Sequence, residues 1–268
     1  MDLDDYNYLY KILDSKSDIQ QISKSLSIPP GVVSKIWEQK MVDKSKKDFI
    51  KIEKNSNFIL KKWLFGKSFV EISKQYNISP VLVSNAILKK LEFTKKEIKR
   101  FNKNPNSCHN KRISGELKEV SKTDFMFSHK ANKRSDDMGK AGEILIQKFL
   151  CEQNIDFLDE NHLRKKKYKK TPDFLFETPQ RLSGSDIYWI DSKMLFGNFK
   201  NHRKHRDSQF TEYTDLFGPG LVVYWFGFIN ELNETDEVKE KKYILKDYNL
   251  FKDIYPNEIE KILNYIPS

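Results

Sequence analysis

The sequence predicts two modules, an α-helical N-terminal half built as a tandem helix-turn-helix and an α/β C-terminal domain around a mixed central sheet. Three observations carry this expectation. First, residues 22–34 recur at residues 72–84, with seven identical positions: Ile22/Ile72, Ser23/Ser73, Lys24/Lys74, Ile28/Ile78, Pro30/Pro80, Val33/Val83 and Ser34/Ser84. Second, charge is uneven: residues 1–134 hold 28 Lys+Arg and 15 Asp+Glu, a net of +13, whereas residues 135–268 hold 20 and 23, a net of −3. Third, a helical apolar run after residue 138 gives way to short segments with the two-residue alternation of strands. At 268 residues the chain has room for two domains, divided as 1–105, a linker and bridging helix at 106–135, and 136–268.

Composition excludes several classes. A hydrophobic share of 38% with 19 Phe, 12 Tyr and 4 Trp is enough to build cores, which rules out wholesale disorder and a collagen-like chain. Two cysteines, Cys108 and Cys151, are too few for a disulfide framework and point to a reducing compartment. The acidic start Met-Asp-Leu-Asp-Asp lacks the features of a signal peptide. The apolar stretch Leu221–Ile229 is far below the roughly 20 residues that span a bilayer. A soluble intracellular protein without a membrane partner is expected.

Each repeat copy reads as a short apolar-periodic helix ending near residue 26 or 76, a polar turn plugged by Ile28 or Ile78, and a second helix. Pro30 and Pro80 fall in the first turn of that second helix, where a missing N–H costs nothing. Val33, Ile36 and Trp37, and Val83, Ala86 and Ile87, supply its apolar face. Helix, turn, helix with facing apolar positions is the helix-turn-helix pattern. Supporting helices are expected at Tyr6–Leu13 and Phe58–Phe65. The second helices carry Lys35, Lys40, Lys89 and Lys90, the expected nucleic-acid contacts, since lysine ammonium groups neutralise backbone phosphate. The same pattern also serves protein contacts, and lysine-rich helices are also simply well solvated. Residues 101–114, polar around Pro105, read as linker, with a helix from Gly115 capped by Ser114. Cys108 and His109 have no second Cys/His pair at zinc-ligand spacing.

In the C-terminal half, Ala141–Cys151 is apolar on most faces and reads as a buried central helix with Glu143 inside it. Strands follow at Ile155–Leu158, Thr171–Glu177 and Ile187–Lys193. Next come a polar helix from about Arg203 to Leu216 and a buried strand at Leu221–Ile229. Pro172-Asp173 and Asp191-Ser192-Lys193 stand at the ends of neighbouring strands, so the two carboxylates can converge. Two anions about 4 Å apart repel by about 4 kcal/mol at an effective dielectric of about 20. A hard divalent cation converts that repulsion into a site, and oxygen ligands with retained waters favour Mg²⁺, with Mn²⁺ as a substitute. Lys193 shares the face of Asp191 by the two-residue period, where its ammonium orients the attacking water and stabilises negative charge. Gln209 and Tyr213, four apart on the following helix, are the remaining candidates for the catalytic set. Phosphodiester hydrolysis is the chemistry that this set suits.

These strings resemble the PD-(D/E)xK nuclease superfamily, the restriction-endonuclease-like fold shared with archaeal Holliday-junction resolvases. More narrowly, Phe157-Leu158-Asp159-Glu160, Lys170-Thr171-Pro172-Asp173-Phe174, Trp189-Ile190-Asp191-Ser192-Lys193, Phe196-Gly197 and Phe217–Ile229 are similar to the codanin-interacting nuclease family. The resemblance runs from about Met138 to Leu232 and thins over the N-terminal half, where that family is also described as helical. It implies a metal-dependent nuclease, residence in nucleus and cytoplasm, and a codanin-type partner. It also implies that Asp173, Asp191 and Lys193 are the metal and catalytic positions and that Glu143 is the helix acid, so the expected metal-ligand set is Asp173, Asp191 and Glu143. Relatives often have Glu where this chain has Asp191. Resolvase-like relatives often act as homodimers.

Other readings stand beside this one. His202 and His205 read as exposed loop residues rather than a phosphate site. The basic run Arg164–Lys170, with Arg164, Lys165 and Lys166, suits backbone phosphate beside the site, a nuclear import tag or a solvated loop. A catalytically silent adaptor, its nuclease fold serving to dock a regulatory partner, is the main alternative; a DNA-binding regulator using only the N-terminal half is a third.

Overall fold

A computed structural model describes residues 1–267. The chain divides into two compact units, one of Met1–Trp37 with Met138–Ile266 and one of Glu38–Asp137 with Pro267. The first repeat copy therefore belongs with the sheet rather than with the second copy, a different division from the one expected at residues 105 and 135.

The first unit opens with α1 (Leu3–Ile12), α2 (Asp18–Leu26) and the start of α3 (Pro30–Lys54), which continues into the second unit. Residues 31–37 are buried throughout. Tyr6 stacks on Phe196 with ring centres 5.6 Å apart, and its hydroxyl accepts from Asn198 at 2.9 Å. A short helical segment with one apolar face cannot bury it alone, and here that face is covered by residues that follow two of the sheet strands and by the C-terminal helix, among them Phe196, Phe226 and Ile262.

The second unit holds the rest of α3, then α4 (Ser56–Leu64), α5 (Phe69–Tyr76), α6 (Pro80–Lys90), α7 (Lys95–Lys103), α8 (Lys111–Thr123) and the start of α9 (His129–Glu152). Ser27 and Asn77, offset by 50, both end a helix in the left-handed conformation, at φ 53° and 51°. After each, an isoleucine N–H closes back on a serine carbonyl, Ile28 on Ser23 at 3.1 Å and Ile78 on Ser73 at 3.0 Å, a Schellman closure. The repeat is thus a repeat of local structure. Trp63, Phe69, Ile72, Val83, Ile87, Phe101, Leu117 and Val120 form the core of this unit. The stretch expected as linker is built into it: Phe101 is 3% exposed and Cys108 is buried. Asn110, not Ser114, caps α8, accepting from Ile113 N–H at 3.1 Å.

The sheet has order β1-β2-β3-β4-β5, from β1 (Leu158–Asp159), β2 (Phe174–Leu182), β3 (Ser185–Lys193), β4 (Gly220–Tyr224) and β5 (Tyr243–Asp247). β1, β2 and β3 pair antiparallel, and β3, β4 and β5 parallel, so the sheet is mixed, as expected. Its helices are the rest of α9, α10 (Glu160–Lys165), α11 (Phe199–His205), α12 (Thr211–Phe217), α13 (Asp236–Lys239) and α14 (Pro256–Leu263). Several expectations are corrected. The Ala141–Cys151 part of α9, expected to be buried on most faces, is buried on one side: Leu145, Ile146 and Leu150 are buried, whereas Ile144 is exposed. The buried run at Leu221–Ile229 is strand only to Tyr224, because Gly227 turns the chain at φ +83°. The single helix expected over Arg203–Leu216 is α11 and α12 joined by a π-helical turn at Arg206–Phe210. Strand β5 has no counterpart among the strands expected from the sequence.

Candidate active site

The antiparallel register sets Phe174 opposite Ile190 and Leu175 opposite Trp189. One residue further, Asp173 comes opposite Asp191, and directly opposed residues project from the same face. The join is tight: the Ser192 backbone N–H donates to Asp173 Oδ2 at 2.7 Å. Two residues along β3, Lys193 turns to the face of Asp191, and its ammonium forms an ion pair with the Asp191 carboxylate. The same ammonium stands 5.7 Å from the centre of the Phe210 ring. Ser192, the residue between them, faces the other way and is held there by Trp225 Nε1, which donates to its Oγ at 2.8 Å. That indole packs onto Gly142, where a β-carbon would lie 2.5 Å from Trp225 Nε1. Gly142 precedes Glu143 in α9, so one contact sets both the helix acid and the strand pair.

The electrostatics follow from the burial. Burial pushes the Asp173 carboxyl well up, and the Asp191 charge pushes it further, against the opposing Ser192 N–H bond. Burial also raises Asp191, against the pull of Lys193. Desolvation acts to lower Lys193, but Asp191, Asp173 and Glu143 outweigh it, and its ammonium is held above the usual lysine range. Glu143 is raised by partial burial, then by Glu160 and Asp191. Glu160, which had no role in the expected set, is thus a fourth acid within electrostatic reach; its place directly after the Phe157-Leu158-Asp159 string was the available signal. Among the described residues, no three His, Cys, Asp or Glu side chains stand close enough to hold a metal ion. The expected three-ligand set of Asp173, Asp191 and Glu143 is therefore not assembled. Asp191 is engaged by Lys193, and Glu143 lies on the exposed side of its helix.

The other expected residues are distributed as follows. The Tyr213 hydroxyl donates to the Thr171 carbonyl at 3.3 Å, so this buried ring braces the Thr171-Pro172-Asp173 turn. Gln209 lies in the π turn beside His205, which its side chain touches. The two histidines depart from expectation. His202 is 3% exposed, its Nδ1 3.0 Å from the Tyr224 hydroxyl and its Nε2 3.1 Å from that of Tyr243. Burial lowers its pKa to about 4. His205 is also lowered to about 4, by burial and then by the Lys193 charge, which places it beside the acid–lysine set. Both rings are neutral at pH 7. Arg164 pairs with Glu160 at 2.5 Å, while Lys165 and Lys166 are exposed. Lys89 and Lys90 are exposed and Lys40 half-buried. Lys35 is corrected: at 6% exposed, its ammonium sits 4.6 Å from the Tyr265 ring centre and 5.4 Å from that of Phe226, so it packs rather than meets phosphate.

Comparison with known proteins gives a consistent picture. A family model described as "Protein of unknown function TPD sequence-motif" matches residues 109–249, which include Thr171-Pro172-Asp173. The human protein CDAN1-interacting nuclease 1 is 45% identical over 109 residues, 41% of this chain and 38% of that one. Its namesake in Danio rerio is 46% identical over 110 residues, 41% of this chain and 36% of that one. The Xenopus tropicalis counterpart is 46% identical over 110 residues, 41% and 35% respectively. The match spans well under half the length of these relatives. No solved structure matches the chain.

Proposed function

The chain belongs to the TPD-motif family, and from that premise we propose that it is a metal-dependent nuclease hydrolysing phosphodiester bonds of DNA or RNA, built on a PD-(D/E)xK site. The observation that carries this reading is the pair of carboxylates on adjoining strands. Asp173 and Asp191 are both pushed up by burial, and the Asp191 charge pushes Asp173 higher still. Such a pair costs stability unless positive charge reaches it. The donor set suits Mg²⁺, which is held by one or two carboxylates and leaves its other positions to water and substrate phosphate. When bound, the ion supplies Lewis acidity to the scissile phosphate and makes water a better nucleophile.

The chain's own residues do the rest. Asp173 and Asp191 hold the cation, and the Ser192 N–H keeps the Asp173 carboxylate in its rotamer. Lys193 stays protonated at neutral pH because three acids surround it, so it acts as a fixed positive charge toward the developing phosphate anion and not as a base. Glu143 extends the acidic edge beside the pair. Tyr213 holds the turn that presents Asp173.

The name of the relatives attaches a codanin partner to those proteins, and the same kind of partner is proposed for this chain. One observation favours a second reading, the silent adaptor: Lys193 already neutralises Asp191 without a cation. The experiment that separates them is a panel of labelled linear, flap and junction substrates, as DNA and as RNA, with Mg²⁺, with Mn²⁺ and with EDTA, run beside Asp191→Ala. Cleavage that needs the cation and disappears in the variant supports the nuclease. Cleavage unchanged by the substitution or by EDTA refutes the assignment, and no cleavage of any substrate favours the adaptor.

A further inference from the structure

The net positive charge is confined to one unit. Residues 38–137 carry 24 Lys+Arg and 12 Asp+Glu, a net of +12, whereas the rest of the chain has a net of −2. Residues 1–37, with the first repeat copy, have 4 Lys and 5 Asp. Neither copy leaves the entering end of its second helix open. In the first, residues 31–37 are buried throughout, and a β-carbon on Gly31 would lie 2.7 Å from the Ile262 carbonyl oxygen. In the second, the buried Asp124 carboxylate occupies the start of α6: its Oδ2 accepts from Ser79 Oγ and from Val81 N–H, and its Oδ1 from Phe127 N–H. A recognition helix turns that end toward DNA, and a phosphate would use the same N–H groups. Here a fixed anion already holds them.

The next helix is different. α7 carries Lys95, Lys96, Lys99, Arg100 and Lys103, all exposed. At about 100° per residue these five cations share an arc of about 140°. Glu97, Ile98, Phe101 and Asn102 fill the opposite arc, where Phe101 is in the core and Asn102 Nδ2 donates to Asn85 Oδ1 at 2.8 Å, tying α7 to α6. A Thr94–Glu97 capping box fixes the start of the helix. Among the described residues, Lys95, Lys96, Lys99 and Lys103 make no ion pair with a carboxylate, unlike Lys89, which reaches Glu53 at 3.4 Å. Lys95 and Lys96 also stand in the first helical turn, where the peptide dipoles disfavour cations. A bound polyanion relieves that conflict. Eight residue steps at about 1.5 Å make a strip of about 12 Å, the span of about three phosphates along one strand.

We infer that the exposed basic face of α7, rather than the second helix of either repeat copy, grips the sugar-phosphate backbone of the substrate. This rests on the nucleic-acid reading above and deepens it by naming the surface. The contact is to phosphate, so it binds without reading base sequence.

The test uses the full chain in EDTA, so that binding is measured without turnover, with a fluorescein-labelled duplex and a labelled single strand followed by anisotropy through a NaCl series. Lys95→Gln, Lys99→Gln and Lys103→Gln together should lower the magnitude of the log K against log salt slope by about 0.9 for each duplex phosphate no longer neutralised, with a roughly tenfold or greater drop in affinity. The control, Lys74→Gln, Lys118→Gln and Lys122→Gln, removes equal charge from exposed positions elsewhere in the same unit and should leave the slope unchanged. Lysine-to-arginine changes at 95, 99 and 103 should retain wild-type binding. Equal weakening by both glutamine triples would reduce the effect to net charge and overturn the inference. So would a wild-type chain that binds neither probe at low salt, which would leave an acidic protein surface as the partner of α7. Binding that behaves as described while no substrate is cleaved counts against the nuclease reading and leaves this inference standing.

Discussion

At Asp173, burial and the neighbouring Asp191 act in the same direction, and both favour the protonated acid in the folded protein. A carboxyl raised above its unfolded value contributes stability at low pH that is lost as pH rises through its folded value. Asp173→Asn keeps an acceptor for the Ser192 N–H and removes the charge, so in EDTA at pH 7 it should raise the unfolding midpoint. The scale is about 1.4 kcal/mol for each pKa unit relieved, read by urea titration. The histidines have the opposite sign. His202, lowered to about 4, contributes stability that is present above pH 6.5 and lost as pH falls toward 4. Its share is about 3 kcal/mol. His202→Gln should flatten the dependence of stability on pH between 4 and 6.5, leaving the share of His205. Equal slopes for variant and wild type would show that His202 titrates normally. Lys193→Ala removes the fixed positive charge and should lower kcat by roughly 10²–10³, with folding retained in a thermal melt.

Among the elements, α9 and β3 are locked together through Trp225, whose indole packs on Gly142 and bonds Ser192. Gly142→Ala forces a methyl group into that contact. It should cost about 1–3 kcal/mol by overpacking and lower cleavage by displacing Glu143 and the Asp191–Lys193 strand together; a variant with wild-type stability and rate would break the proposed linkage. The strands that carry the acids were legible because their alternation is written in large side chains, Phe174 and Phe176, then Ile187 and Trp189. The two strand ends could therefore be set side by side from the sequence. β5 was not legible, being five residues of which only Tyr243 and Leu245 are buried. The string Asn201–Arg206 reads as exposed because it is crowded with charge, yet helical periodicity turns His202 alone toward Tyr224 and Tyr243. The π turn after it shifts the phase of the helix, which no residue pattern announced.

For the molecule as a whole, the uneven charge found in the sequence marks a real structural division, but its boundary lies at residues 37 and 137. That boundary was hidden because the repeat suggests two equivalent copies, and only packing against Phe226, Tyr265 and Ile262 reveals that the first is buried. A net of +12 over residues 38–137 predicts binding to polyanions that weakens steeply with salt. Cleavage measured below saturation should therefore fall with rising NaCl through KM rather than kcat. The central claim, that Asp173 and Asp191 jointly hold one cation beside Lys193, is reached most directly by calorimetric titration of Mn²⁺ into the full chain and into its Asp173→Asn and Asp191→Asn variants. A saturable site in the wild type that disappears in both variants is the predicted result. An isotherm that either substitution leaves unchanged would contradict it.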